Sequence, residues 1–424
     1  MFACRCIALR DRNGATDSKS NSGGTELLNT AKKQERIVTD LRTEPAQPAP
    51  TPTATTPPEY MRAARYHRVG DPFQIDVVET PRPRPTDVLV QVKACGLVPN
   101  TINSLNPPPM VQAPALPAIY GLDPAGVVVE VGSLVYGFEV GDRVYVNPLR
   151  YCGSCPHCRK GNVLACDYAT LNGYFGTGPK SARMLRDYPH GGYAEYLAAP
   201  HYSLVKLPDQ VSFETAARWG YLGTAYSGLR RAGVDMSTTV LINGVSGTLG
   251  LGATLFALAL GAPMILGVGR DAERLERVKA LAPDRIHVHA TTDSRSIEDW
   301  VRKMTDGIGA DVVIDALPAG TPVAVFSAAA AALARGGTHV NIGGILEDVM
   351  MSPPRIMTSN QTYMGSFWFT TAEGQEMADL AASGTVDLGV LEHEIYGLED
   401  INTAMTTLAA GERDGGFSNF VISP

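Results

Sequence analysis

Long apolar runs are missing from this sequence. No uninterrupted hydrophobic stretch approaches the roughly 20 residues that a membrane-spanning helix requires, so a helical membrane protein is not expected. An excess of positive charge is missing as well. The 36 Lys and Arg stand against 43 Asp and Glu, a net charge of −7 with both signs interspersed. That leaves no electrostatic footprint for nucleic acid and no polybasic patch for a membrane surface. Histidines are few, 8 in all, and none falls in a recognisable nucleophilic or metal-binding arrangement; His190 and His201 flank GGYAEY and read as surface or capping residues. A disulfide framework is also lacking, because four of the seven cysteines crowd one short segment. That usage suits a thiol-preserving compartment. The start MFACRCIALRDR is too short an apolar stretch for a secretory signal, and a cytoplasmic protein is expected.

What is present suggests two domains, since 424 residues exceed what one hydrophobic core usually serves. Residues 1–59 run through DSKSNSGG to PAQPAPTPTATTPPE and hold too little apolar surface to offset ordering entropy. They are expected to be a disordered extension, or to precede a true translation start at Met61. From Met61 the segments DVLVQVKACG, AGVVVEVG and DRVYVNPL are rich in Val and bounded by Gly, Pro and Asp, as in a small barrel-like β domain. Near residue 210 the rhythm changes to strand–helix alternation: TTVLIN, GTLGLGATLFALALGA, PMILGVG, DAERLERVKALA, HVHA, SIEDWVRKMT, ADVVIDAL, a helix through VAVFSAAAAALARG, and THVNIGG. Apolar strands alternating with helices specify a doubly wound parallel sheet.

The first of those strands ends in LINGVSGTLGLG, where Gly244, Gly247 and Gly250 form a G-x-x-G-x-x-G turn into a helix. Such a turn brings backbone N–H groups and the helix dipole up to a pyrophosphate, with Thr248 and Leu249 at the helix start. At the end of the second strand, Gly269 stands where a ribose-binding carboxylate is expected, and Arg270 follows. A missing carboxylate beside an Arg favours NADP(H), with NAD(H) still possible because Asp271 is a competing acid one residue on.

The segment CGSCPHCRKGNVLAC places Cys152, Cys155, Cys158 and Cys166 in a C-x2-C-x2-C-x7-C pattern. Four thiolates close a tetrahedral shell around zinc and leave no open position, so this metal is expected to be structural. Reactive thiols and an iron–sulfur cluster are the alternatives.

From Met61 onward the chain resembles the zinc-type alcohol dehydrogenases of the medium-chain dehydrogenase/reductase superfamily. The resemblance rests on VLVQVKACG, GLDPAGVVVEVG, VGDRVYV, the four-cysteine segment, GGYAEY, GTAYSGL, the glycine turn and LEDINTA, in that order. It implies an α/β protein in which a GroES-like, β-rich catalytic domain is split around a Rossmann domain. The expected bounds are 60–220 for the catalytic domain with its zinc lobe at 152–166, 221–362 for the Rossmann domain, and 363–424 for the return. It also implies an active-site cleft between the two and a homodimer or homotetramer. Thr224, Ala316, Leu317, Ile342 and Gly343 join the glycine turn, Gly269 and Arg270 as candidate cofactor contacts.

Alcohol dehydrogenases of this family carry a second, catalytic zinc. Its three ligand positions fall here on Val98, Leu122 and Gly220, and the proton-relay position falls on Asn100. None of the three ligand positions supplies a donor, so a catalytic zinc is not expected, and oxyanion stabilisation falls to hydrogen bonds. GLDPAG and the Asn after a Pro resemble zinc-independent quinone oxidoreductases and enone reductases of the same superfamily. The expected activity is therefore NADP(H)-dependent hydride transfer to a conjugated C=C bond or quinone. The alternatives are a metal-independent alcohol dehydrogenase or carbonyl reductase, and a non-catalytic dinucleotide sensor. Asn100 and Asp123 are the candidate catalytic residues, against simpler roles as a turn residue and a backbone cap. Val98, Leu122, Trp219, Tyr221, Phe367 and Trp368 are candidate lining for a small apolar or aromatic substrate, the aromatics being equally suited to the core.

Overall fold

The computed structural model describes residues 56–107, 111–411 and 415–424. Apart from its last four residues, the expected disordered extension lies outside the described residues. Two large sheets organise the described chain.

The first is a seven-stranded, mostly antiparallel sheet. It runs Leu204–Lys206, Arg143–Val146, β2 (Asp123–Val131), β1 (Asp87–Leu97), Ser418–Ser423 and Glu392–Gly397. Tyr196–Pro200 shares the outer edge of β1 with Ser418–Ser423. β1 is buried along nearly its whole length, which explains a run of Val and Leu denser than simple alternation would give. The C-terminal strand of the chain closes onto it, Phe420–Ile422 pairing with Cys95–Leu97. The catalytic domain is thus completed from both ends of the described chain, in the GroES-like manner.

After helix α1 (Trp219–Ala232), the chain builds a six-stranded parallel sheet from β3 (Thr239–Asn243), β4 (Met264–Gly269), β5 (Ile286–Ala290), β6 (Ala310–Asp315), β7 (Leu333–Asn341) and β8 (Thr362–Gly365). Its spatial order is β5-β4-β3-β6-β7-β8. This is the doubly wound dinucleotide-fold order, and it puts the topological switch point between β3 and β6. Local signals agree with the elements. Asp271 caps the helix after β4, α2 (Ala272–Lys279), by accepting from the Arg274 N–H. Ser296 caps Ile297–Met304 in the same way, and Thr370 with Glu373 forms a full capping box at Thr371–Ala382.

Three expectations shift. The seam at 220/221 falls inside α1, because the helix begins at Trp219 and packs along the helix Thr248–Ala259. Strand β8 belongs to the parallel sheet through Gly365, pairing with β7, so the return to the first sheet begins after it. The alanine-rich helix stops at Ala331, and LARGG starts β7. Its pairing with β6 jumps from Ala310–Leu333 to Val312–Thr338 across a bulge that Gly336, at φ +76°, permits. No helix among the described residues is long and apolar enough to cross a membrane.

Candidate active site and zinc lobe

The four cysteines lie on a loop with little regular structure. Cys155 precedes the short helix Pro156–Arg159, and Cys166 follows the 3-10 turn Val163–Ala165. Their sulfurs all lie within 4.8 Å of one another, and those of Cys152 and Cys166 are 3.6 Å apart. A Zn–S bond of about 2.3 Å gives a tetrahedral S–S edge of about 3.8 Å, so the donor set fits zinc. Backbone N–H groups point at the sulfurs: Cys155 N to Cys152 Sγ at 3.3 Å, Cys152 N and Tyr168 N to Cys166 Sγ at 3.3 Å. Such donors offset thiolate charge around a closed shell. This is a structural zinc site, and among the described residues no other group of three or more His, Cys, Asp or Glu converges on a common point.

The second site forms where β1 ends and β2 begins. Gly96 pairs with Asp123 in antiparallel register, which brings the turn residues Val98 and Leu122 to the same end of the sheet. The first turn of α1 closes over them. Gly220 is buried there, and a Cβ built on it would stand 2.4 and 2.6 Å from the two Asp123 carboxylate oxygens and 2.8 Å from Cη2 of Trp368. The volume in which a third ligand's side chain would begin is therefore filled by a carboxyl group. Three residues on, a Cβ at Gly223 would meet the Phe369 ring at 2.4 Å, so the Trp368–Phe369 segment beds into a two-glycine groove of α1.

Asp123 is completely buried. Tyr145 Oη donates to its Oδ1 at 2.7 Å, and Oδ2 finds no hydrogen-bond donor within bonding geometry among the described residues. Burial lifts its carboxyl to about 7, opposed by the Tyr145 hydroxyl, the Arg218 charge and the Gly220 backbone. A raised carboxyl inverts the usual pH dependence. The unfolded chain ionises near 3.8 and the folded one near 7. Between those values the folded state holds the extra proton, so the stabilising contribution is complete below about 4 and lost as pH rises through 7. Asp123→Asn, which keeps an acceptor for Tyr145, is expected to remove that pH dependence, about 3 kcal/mol of which falls between pH 5 and pH 8. Urea melts at pH 5 and 8 measure it; parallel wild-type and variant profiles would refute the assignment.

The remaining candidates divide. Val98 and Leu122 are buried. Asn100 is exposed at the start of the short helix Asn100–Ser104, and its Oδ1 accepts from the Asn103 side chain at 3.4 Å. Trp368 is buried against Gly220, its Nε1 donating to Asn147 Oδ1 at 3.0 Å. Tyr221 is half-buried beside Asn100. Trp219 is not pocket lining: it is fully buried, packs on Tyr145, and donates to the Gly374 carbonyl at 3.2 Å. Phe367 is 55 % exposed and belongs to the surface beyond β8. Arg218 and Tyr145 escaped sequence reading. The available signal was an Arg in the otherwise apolar AARWGYLG, which the fold buries with its Nε unpartnered.

At the C-terminal edge of the parallel sheet the cofactor candidates do converge. Gly244 has φ +88° and lies 3.1 Å, measured from a built Cβ, from the Ala316 carbonyl. Ile342 and Gly343 both donate to the Asp315 carbonyl at 2.9 Å, and Gly344 to Leu317 at 2.8 Å. Gly247 caps Thr248–Ala259 without a side chain, leaving the helix N-terminus open to an anion. These residues fit a dinucleotide lying across the switch point. Thr224 is the exception, because its hydroxyl turns back to the Gly220 carbonyl at 2.8 Å. Gly269 ends β4 and Arg270 is exposed beside it, while the Asp271 carboxylate is occupied as the helix cap.

Comparison with known proteins agrees with this geometry. Residues 84–209 match the family model of the alcohol dehydrogenase GroES-like domain, and residues 248–383 that of the zinc-binding dehydrogenases. An alcohol dehydrogenase from Geobacillus stearothermophilus is 32% identical over 84% of this chain and 98% of its own. An NAD-dependent alcohol dehydrogenase from Sulfurisphaera tokodaii is 29% identical over 82% of this chain and 96% of its own. The crystal structure of AibC superimposes with a TM-score of 0.74 at 27% identity, covering 86% of this chain and 96% of that one. From these matches and the two-sheet architecture, this chain is an oxidoreductase belonging to the medium-chain dehydrogenase/reductase superfamily.

Proposed function

We propose that the protein is an NADP(H)-dependent reductase of conjugated C=C bonds or quinones that works without a catalytic zinc. One observation carries the reading: the three positions that hold the catalytic metal in the family's alcohol dehydrogenases are Val98, Leu122 and Gly220, and the Asp123 carboxyl occupies the side-chain space at Gly220. Val and Leu have no metal-binding atom, and Gly offers only backbone. The bound nicotinamide supplies the hydride, and the chain's own residues bind, orient and shield the substrate. Val98, Leu122 and Trp368 give an apolar wall, suited to a small apolar or aromatic molecule. Conjugation spreads the negative charge that develops in the transition state, so such a substrate needs less electrophilic help than a simple ketone. The test is turnover of a panel of enones, quinones and unconjugated aldehydes with NADPH. Enone or quinone turnover is expected, and activity confined to simple aldehydes would sink the reading.

Preference for NADP(H) is supported by Gly269 and the exposed Arg270, an arrangement that admits a 2′-phosphate and offers it a guanidinium. Arg270→Ala is expected to weaken NADPH by about tenfold or more, the loss of one charge-assisted contact, and to leave NADH nearly unchanged. Equal losses in fluorescence titrations would favour NAD(H), the cofactor in the names of several relatives. A metal-independent alcohol dehydrogenase is the second reading, favoured by the names of those same relatives. A homodimer or homotetramer is proposed from the position of β8 at the open edge of the parallel sheet.

A further inference from the structure

A site without a metal needs another electrophile for the substrate's oxygen, and the tyrosines around Asp123 can be sorted by what their hydroxyls already do. Tyr145 donates to Asp123, Tyr193 donates to the Gly96 carbonyl at 3.2 Å, and Tyr174 is paired with Thr101. All three are fully buried. Tyr221 differs in both respects. Its side chain is half-buried, and the Asn100 backbone N–H acts on its phenol so as to favour the ionised form. An N–H that donates to a phenolic oxygen leaves the phenol's own O–H free to donate elsewhere. Tyr221 directly follows Gly220, and Val98 lies two residues before Asn100, so the side chain starts beside one of the three positions and its phenol is influenced by the loop that carries another. Arg218, one turn back, places its guanidinium carbon 6.0 Å from the Tyr221 ring centroid, with Nε unpartnered and the group buried. A buried cation at that range favours a phenolate when one forms.

We propose that Tyr221 is a catalytic residue that takes over the metal's role, donating a hydrogen bond and then its proton to the substrate's carbonyl oxygen, with Arg218 as the residue that stabilises the phenolate left behind. As hydride from bound NADPH reaches carbon, the π pair moves onto oxygen. The Tyr221 O–H bond breaks, a new O–H bond forms on the substrate, and a proton from solvent restores the phenol. An enone leaves as an enol that tautomerises to the saturated ketone; a quinone leaves as its hydroquinone. Burial pushes the phenol up to about 12, the Asn100 backbone and Arg218 pulling the other way, so it is protonated and ready to donate throughout the neutral range.

The inference rests on the proposed reading in requiring a carbonyl substrate and a site without a catalytic zinc. Two measurements on wild type and Tyr221→Phe test it: kcat for cyclohex-2-enone with NADPH, and the infrared carbonyl stretch of cyclohexanone bound without cofactor. The variant is expected to lose about 100-fold in kcat, as when one oxyanion donor is removed, with NADPH affinity and melting temperature retained. The bound ketone's shift to lower wavenumber is expected to disappear. Unchanged kcat and an unchanged stretch would overturn the assignment. A wild type that shifts the ketone stretch but does not reduce the enone removes the proposed function and leaves Tyr221 standing. Enone turnover untouched by the substitution does the reverse. If Tyr221→Phe does not fold, 3-fluorotyrosine at 221 serves instead: its more acidic phenol should deepen the shift, and an unaltered stretch counts against the proposal.

Discussion

Cys152→Ser is expected to strip the protein of its zinc and unfold the lobe around it. The lobe has almost nothing else to hold it. Its regular structure amounts to Pro156–Arg159 and Val163–Ala165. Cys155 and Cys166 are its buried cysteines, and Cys152 and Cys158 are half-buried. Structural zinc sites supply folding free energy directly, on the order of 10 kcal/mol in small zinc-binding peptides. Losing one of four thiolates converts a closed shell into a weak one. Elemental analysis should read one zinc per wild-type chain and a small fraction of that in the variant, with protease cleavage appearing between residues 150 and 170. NADPH affinity should survive, because the glycine turn sits on the other sheet. Two zinc ions per wild-type chain would contradict the reading of Val98, Leu122 and Gly220, and one ion retained by the variant would contradict the four-thiolate shell.

Gly250→Ala is expected to abolish tight cofactor binding. A Cβ at this position would lie 2.1 Å from the Gly244 carbonyl oxygen and 2.7 Å from the Val245 Cα. Both obstacles are backbone in the turn itself, so neither can rotate away. The helix Thr248–Ala259 must lift from the turn, carrying the Thr248 and Leu249 N–H groups off the pyrophosphate position. NADPH affinity should fall by about 100-fold, near 2.7 kcal/mol, and stability by about 1–3 kcal/mol from overpacking. The zinc content should remain at one. Calorimetric titration checks the first figure, and affinity retained within about threefold would show that the cofactor does not depend on this helix start.

These two sites were the legible ones, for the same reason. Three cysteines and three glycines, each set with two residues between neighbours, are local patterns, and local chain geometry turns them, with Cys166 nearby, into a shell and a cradle. The strand–helix alternation was legible too, although the helix starting at Trp219 and the strand starting at Leu333 moved the expected seams. The centre of the candidate active site was half legible. Motif positions 98, 122 and 220 revealed what was missing, yet nothing in GLDPAG announces that Asp123 lies against Gly220, or that Tyr145, 22 residues on, is its hydrogen-bond donor. Trp219 and Trp368 look alike in sequence. One is pinned in the core by the Gly374 carbonyl and the other lies on the site wall.

The sequence by itself determined that this chain carries four cysteines spaced for a closed thiolate shell, a dinucleotide cradle, and Val98, Leu122 and Gly220 where the family resemblance places the catalytic-metal ligands. Those are matters of residue type and spacing. The tertiary structure decided what surrounds Gly220: a carboxyl raised to about 7 by burial, a buried arginine two residues earlier in the chain, and a half-buried tyrosine directly after it. Burial depends on contacts between segments far apart in the chain, and burial sets both the charge state and the access of a side chain. Which side chains meet at this candidate site was therefore decided by packing.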